Sequence, residues 1–121
     1  MDIMTAQNQL FAARLNAFKM DAATYWPGKN RITTVDLLER AATVEGLNAA
    51  DLNYPDHFGD TTPKELAARM ADLGVTLNGG AMRYYTDPGF KLGAFTHPDA
   101  KVRQAAIDIT KRGIDAVREM G

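Results

Sequence analysis

The stretch "LNYPDHF" sets an amide, a phenol, a carboxylate and an imidazole within five residues: Asn53, Tyr54, Asp56 and His57. An imidazole that titrates near neutrality is a common general base, but it needs a group to orient its second nitrogen, and spacing alone identifies none for His57. These side chains read more directly as hydrogen-bonding contacts to a small polar molecule. A second group, "MRYYTD", supplies Arg83, Tyr84, Tyr85 and Asp87. Trp26, in "TYWPGKN", offers a flat apolar ring with one N–H donor, suited to the face of a ring-shaped ligand or to covering a core edge. Glu39, Glu45, Glu65 and Glu119 fall in helical segments and read as solvated or capping groups.

Composition removes several chemistries. The chain has no Cys, which excludes disulfides, thiolate metal sites and a cysteine nucleophile. Its 14 basic and 15 acidic residues are scattered, so no field gathers nucleic acid or an anionic membrane. No clustered Asp/Glu/His spacing suits a hard cation, and "LNGGAM" has glycines without the spacing of a phosphate-binding loop. The start "MDIMTAQNQLF" lacks the basic and apolar regions of a secretory signal, and no apolar run is long enough to span a bilayer. A cytoplasmic protein is expected, without nucleic-acid or membrane partners.

The elements that must position these groups follow from periodicity. Alternation in "RLNAFKM" predicts a first strand over Arg14 to Met20, after an N-terminal extension at 1–13. Thr33 with Asp36 caps a helix that Gly46 stops. "NAADLNYP" is a second strand. Thr62, Pro63 and Glu65 form a capping box for a second helix, which ends at Gly74. "VTLNGGAMRYY" is a third strand in which Gly79 and Gly80 signal a bulge or a close approach. A last helix runs from about Asp99 to Met120, with Val102, Ala105, Ala106, Ile109, Val117 and Met120 inward.

The order βαβαβα predicts an α/β chain of three βα units on a parallel sheet. Three strands cannot close, and a (β/α)8 barrel takes about 250 residues. The 121 residues therefore form a small open sheet or part of a larger barrel, whose inner face and edges are expected to leave apolar surface uncovered.

The segment "YTDPGFKLGAFTHPDAKVRQAAIDITKRGIDAVREMG" resembles xylose isomerases, whose pattern here reads F-T-H-P-x-F-K-x-G-x-F-T, then a helix start and a V-R pair. Thr86, Pro88, Phe90, Lys91, Gly93, Phe95 and Thr96 fit the pattern, Pro98 and Asp99 the helix start, and Val102 and Arg103 the pair. Residues 14 to 84 are similar to the broader group of sugar isomerase and epimerase barrels in βα order and in strand-end aromatics.

That resemblance implies a single partial (β/α)8 TIM barrel over 1–121, the N-terminal (βα)3 portion, with the family continuing into a fourth strand. It implies substrate-binding residues Trp26, Asn53, Tyr54, His57, Arg83, Tyr85, Asp87 and Phe95 at the barrel mouth, and a small sugar as substrate. The family's ring-opening His is Asp87 here, which points away from D-xylose; His97 lies ten residues on, at the helix start. Chemistry in the family rests on later strands, which in a full-length relative would hold Mg, Mn or Co; no cofactor is expected in this chain. The expected function is a contribution of pocket loops to aldose-ketose isomerisation or epimerisation. The alternative is a non-catalytic oligomeric α/β binding or structural module. A homo-oligomer, or completion by the missing half-barrel, is expected either way.

Overall fold

The structure is a computed structural model that describes residues 9–121. Most of the expected N-terminal extension, residues 1–8, lies outside the described residues. Three strands, β1 (Ala12–Arg14), β2 (Ala49–Tyr54) and β3 (Thr76–Met82), form one sheet in the order β1-β2-β3, with both pairs parallel. Two helices follow β1, a short α1 (Ala22–Tyr25) and α2 (Thr34–Ala42); α3 (Pro63–Leu73) follows β2 and α4 (Ala100–Met120) follows β3.

The helix starts are where local chemistry puts them. Thr33 Oγ1 accepts the Asp36 N–H at 3.2 Å while Asp36 Oδ2 accepts the Thr33 N–H at 2.8 Å. Thr62 and Glu65 repeat this reciprocal arrangement at the start of α3. Each box satisfies two N–H groups that the helix leaves without partners, a contribution of about 1 kcal/mol per cap. Gly74 ends α3 in the left-handed region, at φ 70°, which a residue bearing a Cβ adopts only at a cost. Helix α2 stops at Ala42, earlier than expected, and Gly46 takes up the following turn at φ 86°.

The first strand differs from expectation. Residues 12–14 pair with β2, whereas Leu15–Lys19 turn into a 3-10 helix. A short run alternating by two also satisfies a repeat of three, and a 3-10 turn stacks residue i over i+3. Leu15 and Phe18 thereby both reach the core, and Asn16 and Lys19 share another side of the turn.

The sheet has two unlike faces. Ala50, Leu52 and Leu77 join Leu37, Leu38, Leu66 and Met70 in a core between sheet and helices. The opposite face is not the apolar surface expected. It carries Arg14 beside Asp51, then Asn53 beside Ala81, with Asp51 Oδ1 accepting from Asn78 Nδ2 at 2.8 Å. Small and polar side chains cover it because a bulge and an arginine occupy positions where a closed apolar interior would place branched residues.

That bulge lies next to the paired glycines. Ala50 faces Leu77 but Asp51 faces Gly79, which leaves Asn78 as the extra residue of β3. Val117 of α4 passes Gly80 at ordinary contact distance, 3.4 Å from where a Cβ on that glycine would stand. The buried residues of α4 are Ala106, Gly113 and Ala116, while Ala105, expected inward, is exposed. Consecutive helical residues are about 100° apart, so one narrow seam of small residues cannot also bury its neighbour.

Gly113 is the tightest point of that seam. A Cβ there would lie 2.6 Å from Met82 Sδ and 3.1 Å from Tyr54 Cδ1. On an exposed helix Gly→Ala gains about 1 kcal/mol; here Gly113→Ala is expected to cost about 1–2 kcal/mol, because the methyl must displace a packed thioether and ring. Urea denaturation measures it, and adding Met82→Ala should recover part of the loss. A Gly113→Ala chain as stable as the parent would show that α4 does not sit this close.

Candidate functional site

The carboxyl ends of the three strands bring several expected residues together. After β2 the chain makes a 3-10 turn, Asp56–Phe58, which folds His57 back beneath Asn53. His57 is 2% exposed. Its Nδ1 accepts the Asn53 backbone N–H at 2.7 Å, so the ring proton sits on Nε2, which donates to Asn16 Oδ1 at 3.1 Å. The His57 carbonyl in turn accepts from Thr34 Oγ1 at 2.8 Å, which ties the first residue of α2 to the same turn. The orienting partner that spacing did not reveal is Asn16, 41 residues earlier.

Burial pushes the His57 imidazole down from its ordinary 6.5 to about 4, and the positive charge of Lys19 acts in the same direction. Asp56 and Asp60 oppose this shift, whereas Arg83 adds to it. At neutral pH the ring is a neutral strut with both nitrogens engaged, which does not suit it to general base catalysis.

Asn53, 2% exposed, is held on the free sheet face beside it. Arg14 Nη2 donates to Asn53 Oδ1 at 3.4 Å, which orients the amide; its Nδ2 is buried and has no hydrogen-bond partner among the described residues. Arg83 continues β3, its N–H donating to the Tyr54 carbonyl at 2.9 Å. It lies just past the end of β3, two residues beyond Ala81, the register partner of Asn53, and its charge acts on His57. Its guanidinium carbon stands 4.6 Å from the Tyr85 ring centre, and its Nε is also buried without a partner among the described residues. The group assembled here is therefore Arg14, Asn53 and Arg83, over His57, Asn16 and Lys19. Arg14 was not expected in it; its only sequence signal is a cation at the end of a strand.

The other expected residues are placed elsewhere. Tyr54 points to the helix side, its ring 5.4 Å from Phe58 and close to Gly113. Trp26 lines a cleft of about 310 Å3 with Tyr25, Glu39, Arg40 and Thr43. Arg40 fills that corner, its guanidinium 3.4 Å from the Tyr25 ring centre and bonded to the Phe18 carbonyl at 2.7 Å. Trp26 thus packs beside α2 instead of joining Asn53 and His57. Tyr85 and Asp87 border another cleft, of about 460 Å3, with Pro88, Phe90 and Lys91. Asp87 Oδ1 accepts the Gly89 N–H at 2.8 Å and so sets the turn. Phe95 is half-exposed and meets Tyr84 edge-on at 5.2 Å, while the Tyr84 hydroxyl joins Thr110 of α4 at 2.6 Å. His97 Nδ1 accepts the Asp99 N–H at 2.9 Å ahead of α4.

A hard cation does not fit the strand-end group. Two guanidiniums, an amide and a fully engaged imidazole offer it no set of oxygen ligands, and no group of three or more His, Asp or Glu side chains among the described residues could hold one. No helix among the described residues is long and apolar enough to cross a membrane.

No protein-family model matches the chain, and no curated protein matches it.

The His57 environment has a measurable consequence. Between pH 6.5 and about 4 the unfolded chain holds a proton at this side chain that the folded chain does not. Stability is then full above 6.5 and falls as the pH drops towards 4, by on the order of 3 kcal/mol. Denaturation midpoints of the parent and His57→Gln across this range isolate the contribution, since the carboxylates titrate in both. Parallel pH profiles would show that His57 is not buried as a neutral ring.

Proposed function

We propose that this chain forms the substrate-binding portion of a sugar isomerase or epimerase of the xylose isomerase-like barrel group. The observation that carries the reading is the Arg14–Asn53 contact at the carboxyl ends of parallel strands, with Arg83 at the end of β3 bonded through its N–H to the Tyr54 carbonyl. Ligands of parallel α/β sheets and barrels bind at this end because the loops leaving it are the ones free to converge. Polar donors beside the aromatic rings of Tyr85 and Phe95 make a composition suited to hydroxyl groups and C–H faces. The strand order β1-β2-β3, with helices against the opposite face, supports the partial-barrel reading. Bond-making groups lie outside this set: the neutral, doubly bonded His57 positions Asn53, and the described residues contribute recognition.

Titration with neutral aldoses and ketoses, followed residue by residue by nuclear magnetic resonance, tests this. Shifts are expected at the side-chain amide of Asn53 and at Arg83, with none at the Trp26 indole. Sugars, neutral or acidic, that at saturation move only Trp26, or nothing, would sink the reading.

The alternative, an oligomeric α/β module without chemistry, draws support from the open edges. β1 and β3 each have one strand neighbour, and Phe11 and Val44 are about half exposed at the opposite end of the sheet. Association hides such edges and patches. Light scattering is expected to give a dimer or larger species; a monodisperse monomer with a cooperative melt would count against any assembly.

A further inference from the structure

Three of the eight arginines of this chain are taken up in holding the fold. Arg40 and Arg103 spend their guanidiniums on backbone carbonyls, those of Phe18 and Met20 and those of His97 and Pro98, and Arg69 pairs with Glu39. These are structural. Arg14, Arg31, Arg83, Arg112 and Arg118 have no carboxylate within ion-pair distance among the described residues, and of these Arg14 bonds the Asn53 amide while Arg83 stands near His57 beneath it.

Burying a donor without a partner costs roughly 1–3 kcal/mol, and two such donors occur here, Asn53 Nδ2 and Arg83 Nε. The amide cannot be turned to relieve this. Its Oδ1 accepts from Arg14, and exchanging the two atoms would set an N–H against a guanidinium. The nearby acids are engaged or peripheral: Asp51 accepts from Asn78, Asp60 accepts the Thr34 N–H, and Asp56 is exposed at the turn. Lys19 adds a third positive charge on the His57 side. Asp51 stands beside Arg14 on this face, yet Asn53 Nδ2 and Arg83 Nε are left without an acceptor among the described residues.

We propose that the strand-end site recognises an anionic group on its substrate, a carboxylate or phosphate, held by Arg83, Arg14 and the Asn53 amide. The inference rests on the sugar reading above and narrows it to sugar acids or sugar phosphates. Asn53 Nδ2 and Arg83 Nε are the donors left without an acceptor among the described residues, and an oxyanion reaching them would satisfy both with charge-assisted hydrogen bonds. Arg14 lies over the amide through a single long hydrogen bond and is itself exposed, so it is free to move onto the ligand.

The test titrates the full chain with inorganic phosphate and acetate, then with a neutral aldose, the aldonate of equal carbon number and the phosphorylated aldose. At least one acidic derivative is expected to bind roughly tenfold more tightly than the neutral sugar, as one charge-assisted hydrogen bond supplies. Which acid gains tells carboxylate from phosphate. Arg83→Gln should remove that gain, and Arg69→Gln, on the helical surface, should keep it. If Arg83→Gln fails to fold, the unmodified chain still decides: affinity for the acidic sugar must fall with added salt while that for the neutral sugar holds. Equal affinities for neutral and acidic sugars would overturn the anion site and leave the sugar reading standing. Simple anions that bind at Asn53 while no sugar derivative does would leave the anion site and end the sugar reading. No response at Asn53 or Arg83 to any ligand would overturn both.

Discussion

A buried, neutral imidazole organises the carboxyl end of this sheet. His57 takes the Asn53 N–H on one nitrogen, offers its own N–H to Asn16 on the other, and accepts Thr34 through its carbonyl. In three bonds it joins the end of β2, the turn after β1 and the start of α2. Each partner would be a buried polar group without it, and each such loss costs more than the net worth of a hydrogen bond made in water. The arrangement depends on the ring staying uncharged, because a second ring proton would face the Asn53 N–H directly.

The other end of the architecture depends on the absence of side chains. Gly113 lets α4 lie against Met82 of β3 and the ring of Tyr54. Tyr84 then fastens the loop before α4 to that helix through Thr110, with Phe90 and Phe95 at its ring. The turn chemistry of this loop, including the Asp87 cap on Gly89, thus serves a fixed path along α4. The loop's exposed members, Tyr85 above all, remain beside Arg83 at the strand ends.

These two constraints leave the sheet with one apolar and one polar face. The helix side takes the leucines of β2 and α2, while the free side presents Arg14, Asp51 and Asn53 with alanines and glycines between them. A face of that kind gains little from being buried against apolar side chains. It is better matched to water, to polar ligands or to a polar partner surface, and charge on it is mainly positive towards the strand ends.

Much of the scaffold was legible in the sequence. The two capping boxes, the left-handed Gly74, the parallel βα order and the glycine-marked bulge of β3 are set by bonds within a few residues or by patterns with one solution. The placement of Asn53, His57 and Arg83 near strand ends was legible for the same reason. Only tertiary structure decided that Leu15–Lys19 turn instead of extending, since periods of two and three coincide over so short a run. It also decided that Trp26 packs beside Arg40, that Ala105 faces out while Gly113 faces in, and that Arg14 joins Asn53. The partner of His57 belongs with these, because Asn16 reaches it across 41 residues of chain through a contact that exists only once β1 and β2 are paired.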